Sequence, residues 1–464
     1  MREERIERLS SPPPAPAGAL FAGDFRPSPY WLDGLPPVPP LDDAPPASAE
    51  VVVVGAGYTG LNAALQTARA GRATVVLDAV APGAGCSARN GGHVSTSIKP
   101  SLDALTRRFG AGRARAIRAE GPAALDWLER FVGEEGIDCA FRRSGRFHAA
   151  HSPAHYDRLA RRAEEGMRRE GIEAHAVPAG GQQAEIGSDF YAGGVVFPRF
   201  ATVQPARYHR GLLDRVLAAG ASVVAPCAAT AIRRDGDGFE VATAAGRIRT
   251  RDVVVATNGY TGALLPWLRR RVIPITSTII ATEALPPGTV DALFPTGRIA
   301  CDTRRVVYYY GPSPDRRRVV FGGRVSARDT DIATGAPRLH AEMARIFPAL
   351  AGARISHAWS GRVAYTFDEL AHTGVHEGIH YAMGYCGAGV SMSGYLGHRL
   401  GQRLLGRREG RTAFDDLPFP TRPLYSGTPW FLPAAVAWYR WRDDRECRAA
   451  ARARSARERG MSVA

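Results

Sequence analysis

The sequence predicts a mixed α/β chain, α+β overall, with a Rossmann-like domain and a second domain built on an antiparallel or mixed sheet. Three observations predict it. Val51-Val52-Val53-Val54 is a run of β-branched residues of the kind that forms a buried parallel strand. Glycines at 55, 57 and 60 follow at once, and then a helical pattern with Leu61, Ala64, Leu65 and Ala68 on one face. Residues 266–356 instead offer short, turn-bounded runs such as Ile273–Ala281, Val306–Tyr310 and Val319–Arg324, which suit an antiparallel sheet.

The first unit carries chemistry. After the helix a second apolar strand, Ala73 to Leu77, ends at Asp78, eighteen positions past Gly60. Strand, G-x-G-x-x-G, helix, strand and acid together form the dinucleotide fingerprint in its required context. Gly55 permits the tight turn, Gly57 lets the backbone approach a pyrophosphate, and Gly60 lets helix and strand pack closely. The helix start at Tyr58 and Thr59 offers free N–H groups and a positive dipole end to phosphate. Asp78, with Ala79 beside it, suits a ribose hydroxyl and disfavours a 2′-phosphate, which leaves NAD or FAD. The loop Pro82 to His93 has four glycines and little bulk, as close passage of an extended ligand requires, and Ser87, Arg89 and Asn90 in it are hydrogen-bond donors. A flavin lying past the pyrophosphate explains that loop; a nicotinamide does not.

The rest of the chain follows in order. Residues 1–47 are Pro-rich and read as an extended arm. Residues 101–135 look helical, 136–150 switch to short strands, and 153–172 form an Arg/Glu-rich amphipathic helix. A strand falls at 190–197, and Val203-Gln204-Pro205 opens a helix that ends near Gly220. Short strands over 221–257 break at Asp235-Gly236-Asp237-Gly238 and Ala245-Gly246, and the chain returns through Val253–Ala256. A helix is expected near 338–347, a last strand at Ile379–Met383, and a helix from about Ser391 to Leu405. The small-residue loop before that helix, with Gly387, Gly389, Val390 and Ser391, places N–H donors at a helix N-terminus, where negative charge on a reduced flavin would be stabilised.

Composition bounds the function. The 464 residues suffice for two cores, and no apolar run approaches the ~20 residues needed to span a bilayer. The N-terminus is charged and shows no secretory h-region, so a cytoplasmic location is expected. The net charge of +15 comes from Arg spread along the chain, Lys99 being the sole lysine, which argues against a dedicated nucleic-acid surface; the densest basic run is the tail, Arg440 to Arg459. Six scattered cysteines with no C-x-x-C or His/Cys cluster suggest neither zinc nor a redox dithiol. Cys86 and Cys386 fall in the presumed flavin loops, where a thioether to the flavin and a small filler are both open readings.

Gly-Tyr-Thr-Gly-Leu at 57–61 with Gly83-x-Gly85-x-Ser87-x-Arg89-Asn90-Gly91-Gly92 resembles the FAD-dependent D-amino-acid-oxidase-type superfamily, and within it the gamma-glutamylputrescine oxidoreductase-like branch. Tyr30-Trp31-Leu32, Val253 to Thr261, and Trp359-Ser360-Gly361-Arg362-Val363 with Gly384 to Val390 agree, so the resemblance spans most of residues 25–410. It implies FAD as cofactor, a β-meander inserted in the FAD-binding domain, and Asn258, Gly259 and Ala229 among the cofactor contacts. It implies a discontinuous FAD-binding domain (48–100, 195–265, 357–410), a substrate domain (101–194, 266–356) and a basic C-terminal extension (411–464). It also implies oxidation of a small amine, polyamine derivative or amino acid by hydride transfer to flavin N5, with oxygen or another acceptor taking the electrons. Tyr308 and Tyr310, on one face by alternation, offer an aromatic floor for an amine, together with Trp359. Arg324 or Arg362 offers a carboxylate clamp, His93 a group beside the flavin, and Lys99 a cation for oxygen chemistry. A dehydrogenase of the same fold, a NAD-linked enzyme using only the first βαβ unit and a non-catalytic flavin-binding protein are the competing readings.

Overall fold

The four valines enter the centre of a mostly parallel sheet. The computed structural model describes residues 20–323 and 332–461, with side chains to residue 452. Strand Ser48–Val54 lies between Gly246–Val255 and Thr74–Leu77, parallel to both, and Ser222–Val224 adds a further parallel strand beyond Thr74–Leu77. Ala229–Asp235 and Gly238–Thr243 continue the sheet from Gly246–Val255 as an antiparallel meander. Ile379–Met383 pairs parallel with Val253–Val255 and antiparallel with His372–His376. Val51 to Val53 are fully buried because helices or side chains cover both sheet faces, which explains a strand with no polar alternation.

On one face helix Tyr58–Arg69 packs against helix Gly389–Leu404, and glycines set the spacing. A Cβ on Gly397 would stand 2.3 Å from the Thr59 carbonyl oxygen, and one on Gly401 2.8 Å from that of Ala63. Helix Ala111–Glu134 joins this layer through Trp127 and Leu128 in the same core. Within the span 101–194 that the sequence groups with the substrate side, this helix shares the core of the dinucleotide-binding layer.

The second sheet has nine strands in the order Phe21–Arg26, Ile355–Thr366, Val272–Thr282, Val319–Gly323, Tyr308–Pro312, Ile299–Asp302, Arg146–Ala149, Gly193–Phe197 and His175–Pro178. It is mixed: the first pair and the Ile299–Asp302/Arg146–Ala149 pair are parallel, the others antiparallel. Helix Ile332–Ile346 covers one face through Leu339, Met343 and Ile346, over Tyr308, Tyr310 and Phe321. Residues 21–26 are therefore part of a sheet, and Trp31, 3% exposed, is core rather than surface arm. The C-terminal helix Leu432–Met461 is tied down by Asp443 and Glu446, both paired with Arg305. Among the described residues no helix is long and apolar enough to cross a membrane.

Candidate active site

The glycine turn is built by close backbone approach. Gly55 has φ 111°, and a Cβ there would lie 3.0 Å from the Ala256 carbonyl oxygen. A Cβ on Gly60 would fall 1.9 Å from the Gly55 carbonyl oxygen, so helix and strand touch only because residue 60 has no side chain. A Cβ on Gly57 would meet Ser87 Oγ at 2.9 Å, and that oxygen accepts the Tyr58 N–H at 3.0 Å. Asp78 accepts the amides of Ala56 (2.8 Å) and Val80 (3.1 Å); burial raises its pKa despite those bonds, and no cation pairs with it among the described residues. Ala79 follows it on the surface, and Ala229 opens the strand that starts just after Cys227, whose N–H donates to the Asp78 carbonyl.

This donor set fits a dinucleotide such as FAD. Helix Tyr58–Arg69 has no acid in its first turn and no side-chain cap from Gly57, and helix Gly389–Leu404 likewise has neither. Both N-termini keep their dipole ends for an anion or an electron-rich ring edge. Thr59 Oγ1 and Tyr385 Oη lie 2.6 Å apart and join the first turn to the C-terminal loop. Asn258, at φ 43°, accepts the Gly384 N–H at 3.0 Å, and a Cβ on Gly259 would crowd the Arg362 carbonyl oxygen at 2.8 Å. Gly387 has φ 97°, with Tyr365 Oη 3.3 Å from where its Cβ would be. Gly389 and Val390 begin the following helix, and Ser391 Oγ donates to the Ser95 carbonyl at 2.8 Å rather than facing outward. Tyr58 is buried, donating to the Pro205 carbonyl at 2.9 Å.

Two residues expected to touch ligand, Arg89 and Asn90, also make hydrogen bonds within the loop. Arg89 Nε donates to the Ala84 carbonyl (2.7 Å), and Asn90 Nδ2 donates to Ser87 O (2.8 Å) while its Oδ1 accepts the Gly92 N–H (2.8 Å). These bonds shape the loop around Gly91 and Gly92. Burial pushes the thiols of Cys86 and Cys386 up to about 11, which leaves both protonated and poorly nucleophilic near neutral pH. His209, outside the sequence expectations, sits under the turn: its Nε2 donates to the Ala56 carbonyl at 2.7 Å, and a Cβ on Gly83 would meet its ring at 2.8 Å.

The substrate-side residues divide by sheet face. Tyr310 is fully buried, donates to Tyr191 Oη at 2.6 Å and stacks on Phe321 at 5.1 Å, so it faces helix Ile332–Ile346; Tyr308 shares that face. Tyr309 points the other way. Its ring lies 5.6 Å from that of His93, its Oη is 2.9 Å from Ser277 Oγ, and a Cβ on Gly91 would meet it at 2.8 Å. Tyr309, one register position from the expected pair, is thus the tyrosine whose ring stands on the face of His93. Trp359, 0% exposed, donates from Nε1 to the Arg89 carbonyl at 2.9 Å and braces the loop instead of lining a pocket. Arg362 is exposed, with its guanidinium over the Tyr260 ring at 5.8 Å. Arg324 lies outside the described residues.

On the face of Tyr309 stands an arginine that sequence reasoning passed over. Arg146 Nε is buried with no hydrogen-bond partner, and its guanidinium lies 3.9 Å from the Phe200 ring centroid and 5.2 Å from that of Phe197. No carboxylate pairs with it among the described residues. Burial pushes His93 and His148 down to about 3, and the Arg146 charge adds to both shifts, so both imidazoles are neutral at physiological pH. A cavity of about 290 Å³ opens beside His93, lined also by Gly91, Phe141, Arg142 and Ser313. Lys99 is exposed, its ammonium 5.2 Å from the Tyr365 ring, in a small hollow shared with Tyr385, Cys386 and Ala388.

Comparison with known proteins agrees with this geometry. The sequence pattern of the DAO family, described as FAD dependent oxidoreductase, matches residues 50–403. Gamma-glutamylputrescine oxidoreductase of Escherichia coli is 30% identical over 85% of this chain and 93% of its own. A probable oxidoreductase, OrdL, of Haemophilus influenzae is 27% identical over 82% of this chain and 88% of its own. Among solved structures, glycine oxidase from Geobacillus kaustophilus superposes with a TM-score of 0.68 at 21% identity, covering 82% of this chain and 99% of its own. L-amino acid deaminase from Proteus vulgaris superposes at 0.65 and 17% identity, covering 86% and 99%.

Proposed function

Because the chain belongs to the DAO family of FAD-dependent oxidoreductases, we propose that it oxidises a small substrate carrying both an amine and a carboxylate, at the carbon that bears the amine nitrogen. The substrate lies between the Gly91–His93 loop and the sheet face of Arg146, His148 and Tyr309. Bound FAD supplies a hydride acceptor for that carbon, and the imine left behind hydrolyses in water.

The observation that carries the reading is Arg146, whose Nε is buried without a hydrogen-bond partner and whose guanidinium pairs with no carboxylate among the described residues. A buried charge of this kind is costly unless a counter-charge arrives, and a substrate carboxylate supplies one with bidentate geometry. Neutral His93 and His148 neither compete for that carboxylate nor repel an amine. The positive charges of Arg146 and Lys99 lower the pKa of a nearby ammonium and favour the free amine, the form able to release hydride. Tyr309 offers its ring to the alkyl part. A γ-glutamyl amine, as in the name of the E. coli relative, and glycine, as in that of the Geobacillus structure, each combine the two required groups.

The test is anaerobic bleaching of the purified flavoprotein by gamma-glutamylputrescine, putrescine, glycine and N-alkyl amino acids. Amines bearing a carboxylate should bleach the flavin at lower concentration than putrescine. Arg146→Met should raise KM for them at least tenfold with little change for putrescine. Failure of every compound to bleach the flavin overturns the reading. Peroxide formation in air separates an oxidase from a dehydrogenase using another acceptor, and Lys99→Met should slow it if the lysine assists oxygen.

A further inference from the structure

The loop after strand Arg146–Ala149, the first turn of helix Pro153–Glu170 that follows it, and the C-terminal helix meet at three side chains that the flavin chemistry does not use. His151 Nε2 lies 3.2 Å from Glu446 Oε2, and His155 Nε2 lies 3.6 Å from the same oxygen. The two imidazole centroids are 3.9 Å apart, and the three candidate ligand atoms all lie within 4.8 Å of one another. The side chain of His151 is 0% exposed, that of His155 10% and that of Glu446 24%. We propose that His151, His155 and Glu446 form a three-ligand zinc site that staples helix Leu432–Met461 to the loop at the end of strand Arg146–Ala149 and to the first turn of helix Pro153–Glu170.

Geometry supports this assignment in two ways. Zinc binds imidazole nitrogen and carboxylate oxygen at about 2.1 Å, which puts adjacent ligands of a tetrahedron about 3.4 Å apart. The two nitrogen-to-oxygen distances, 3.2 and 3.6 Å, straddle that value. The outer ring nitrogens are also fixed. His151 Nδ1 is 2.8 Å from Thr303 Oγ1, and His155 Nδ1 is 2.8 Å from Ser152 Oγ. These hydroxyls accept from Nδ1 in the tautomer that carries its proton there, and that tautomer turns the Nε2 lone pair toward the shared centre, the outer-shell arrangement that metal-binding histidines use.

Arg305 is the charge that argues against a cation, and its pairing answers the objection. Its guanidinium contacts Glu446 Oε2 (2.9 Å) and Oε1 (3.1 Å), and also Asp443 Oδ1 (2.8 Å). Asp443 is 3% exposed and balances Arg305, so the carboxylate charge of Glu446 remains for a metal. Arg305 then orients that carboxylate through Oε1, as hydrogen-bonded ligand carboxylates require. Two histidines and one carboxylate favour zinc over magnesium or calcium, which prefer all-oxygen sites, and leave a fourth position for water. His151 and His155 are four positions apart, an H-x3-H spacing that suits a metal, but the third ligand lies 291 positions further on, so the full set is not visible as a local motif.

The experiment uses the untagged, flavin-loaded chain, stripped with a chelator and titrated with zinc chloride by calorimetry, with metal content measured after gel filtration. One zinc per chain at micromolar or tighter affinity is expected. His155→Gln and Glu446→Gln should each weaken it at least tenfold while keeping the flavin spectrum and far-UV circular dichroism. Zinc should raise the melting temperature of the parent and not of the variants. Cobalt should give tetrahedral visible bands in the parent alone. Absence of binding at 100 μM zinc, or undiminished binding in both variants, overturns the proposal and leaves a hydrogen-bonded junction only.

Discussion

Trp31 and Trp359 grip the same loop from opposite ends of the chain. Trp31 Nε1 donates to the Asn90 carbonyl at 2.8 Å, Trp359 Nε1 donates to that of Arg89 at 2.9 Å, and the two rings meet edge-on at 6.2 Å. Consecutive carbonyls of the loop Arg89–Gly92 are thus held by buried indoles, which fixes where Gly91 and His93 face the second sheet.

Trp359→Phe keeps most of the apolar bulk and removes one of those donors. The Arg89 carbonyl is then left without its buried partner, at a cost of ~1–3 kcal/mol. The variant should melt lower and retain less flavin after dialysis, read from the ratio of flavin to protein absorbance. Unchanged retention would show that the loop does not depend on this brace.

Gly57 and Gly60 should fail differently. Gly60→Val drives side-chain atoms into the Gly55 carbonyl oxygen, already 1.9 Å from a Cβ, and should abolish soluble expression. In Gly57→Val the first obstacle is the Ser87 hydroxyl at 2.9 Å, which has room to rotate, so the chain should fold without flavin. Circular dichroism and flavin absorbance distinguish the two. Retained flavin in Gly57→Val would contradict the cradle.

Adjacent tyrosines should separate stability from turnover. Tyr310→Phe removes the donor to the buried Tyr191 hydroxyl, leaving that hydroxyl only its longer bond to Asp302 Oδ2 at 3.4 Å, and should lower stability by about 1 kcal/mol in urea unfolding, with KM unchanged. Tyr309→Ala should raise KM severalfold, with a smaller effect on stability. The reverse pattern would put the substrate on the other face of the sheet.

Acid should destabilise the protein well above the range where carboxylates titrate. Burial pushes His209 and His398 down to about 4, and His93 and His148 to about 3. Unfolded histidines titrate near 6.5. Between that value and the native ones the unfolded chain binds more protons, so stability is full above about pH 6.5 and falls as pH drops. Buried His209 alone contributes at most about 1.4 kcal/mol per pH unit in that window. The urea midpoint should be clearly lower at pH 5 than at pH 7; an equal or higher midpoint at pH 5 would contradict the buried neutral assignment.

The dinucleotide fingerprint was legible because it is local: strand, glycines, helix and acid lie within about thirty residues and each has its own physical signature. The sheet face was not. Tyr308, Tyr309 and Tyr310 are all aromatic, so alternation carries no sign of which ring turns to the flavin loop; the pairing with Val319–Gly323 and the cover of helix Ile332–Ile346 decide it. Arg146-Phe147-His148-Ala149 did alternate polar with apolar, a readable two-faced strand that was passed over among so many arginines. The tail was read by its summed charge, which hides Asp443 and Glu446 inside the basic run. Trp359 reads in sequence as a pocket-lining aromatic, whereas its ring is buried against Trp31, 328 positions away, a contact that no local pattern announces.

Among the described residues strand Phe21–Arg26 finds its neighbour only in Ile355–Thr366, and Gly246–Val255 awaits Ile379–Met383. A ribosome making this protein must therefore emit residues as late as 366 before the nine-stranded sheet is complete, and as late as 383 before the mostly parallel one is. For most of its synthesis the nascent polypeptide carries open strand edges and half-covered apolar surface, which makes it a natural client for chaperones and a poor candidate for expression in fragments.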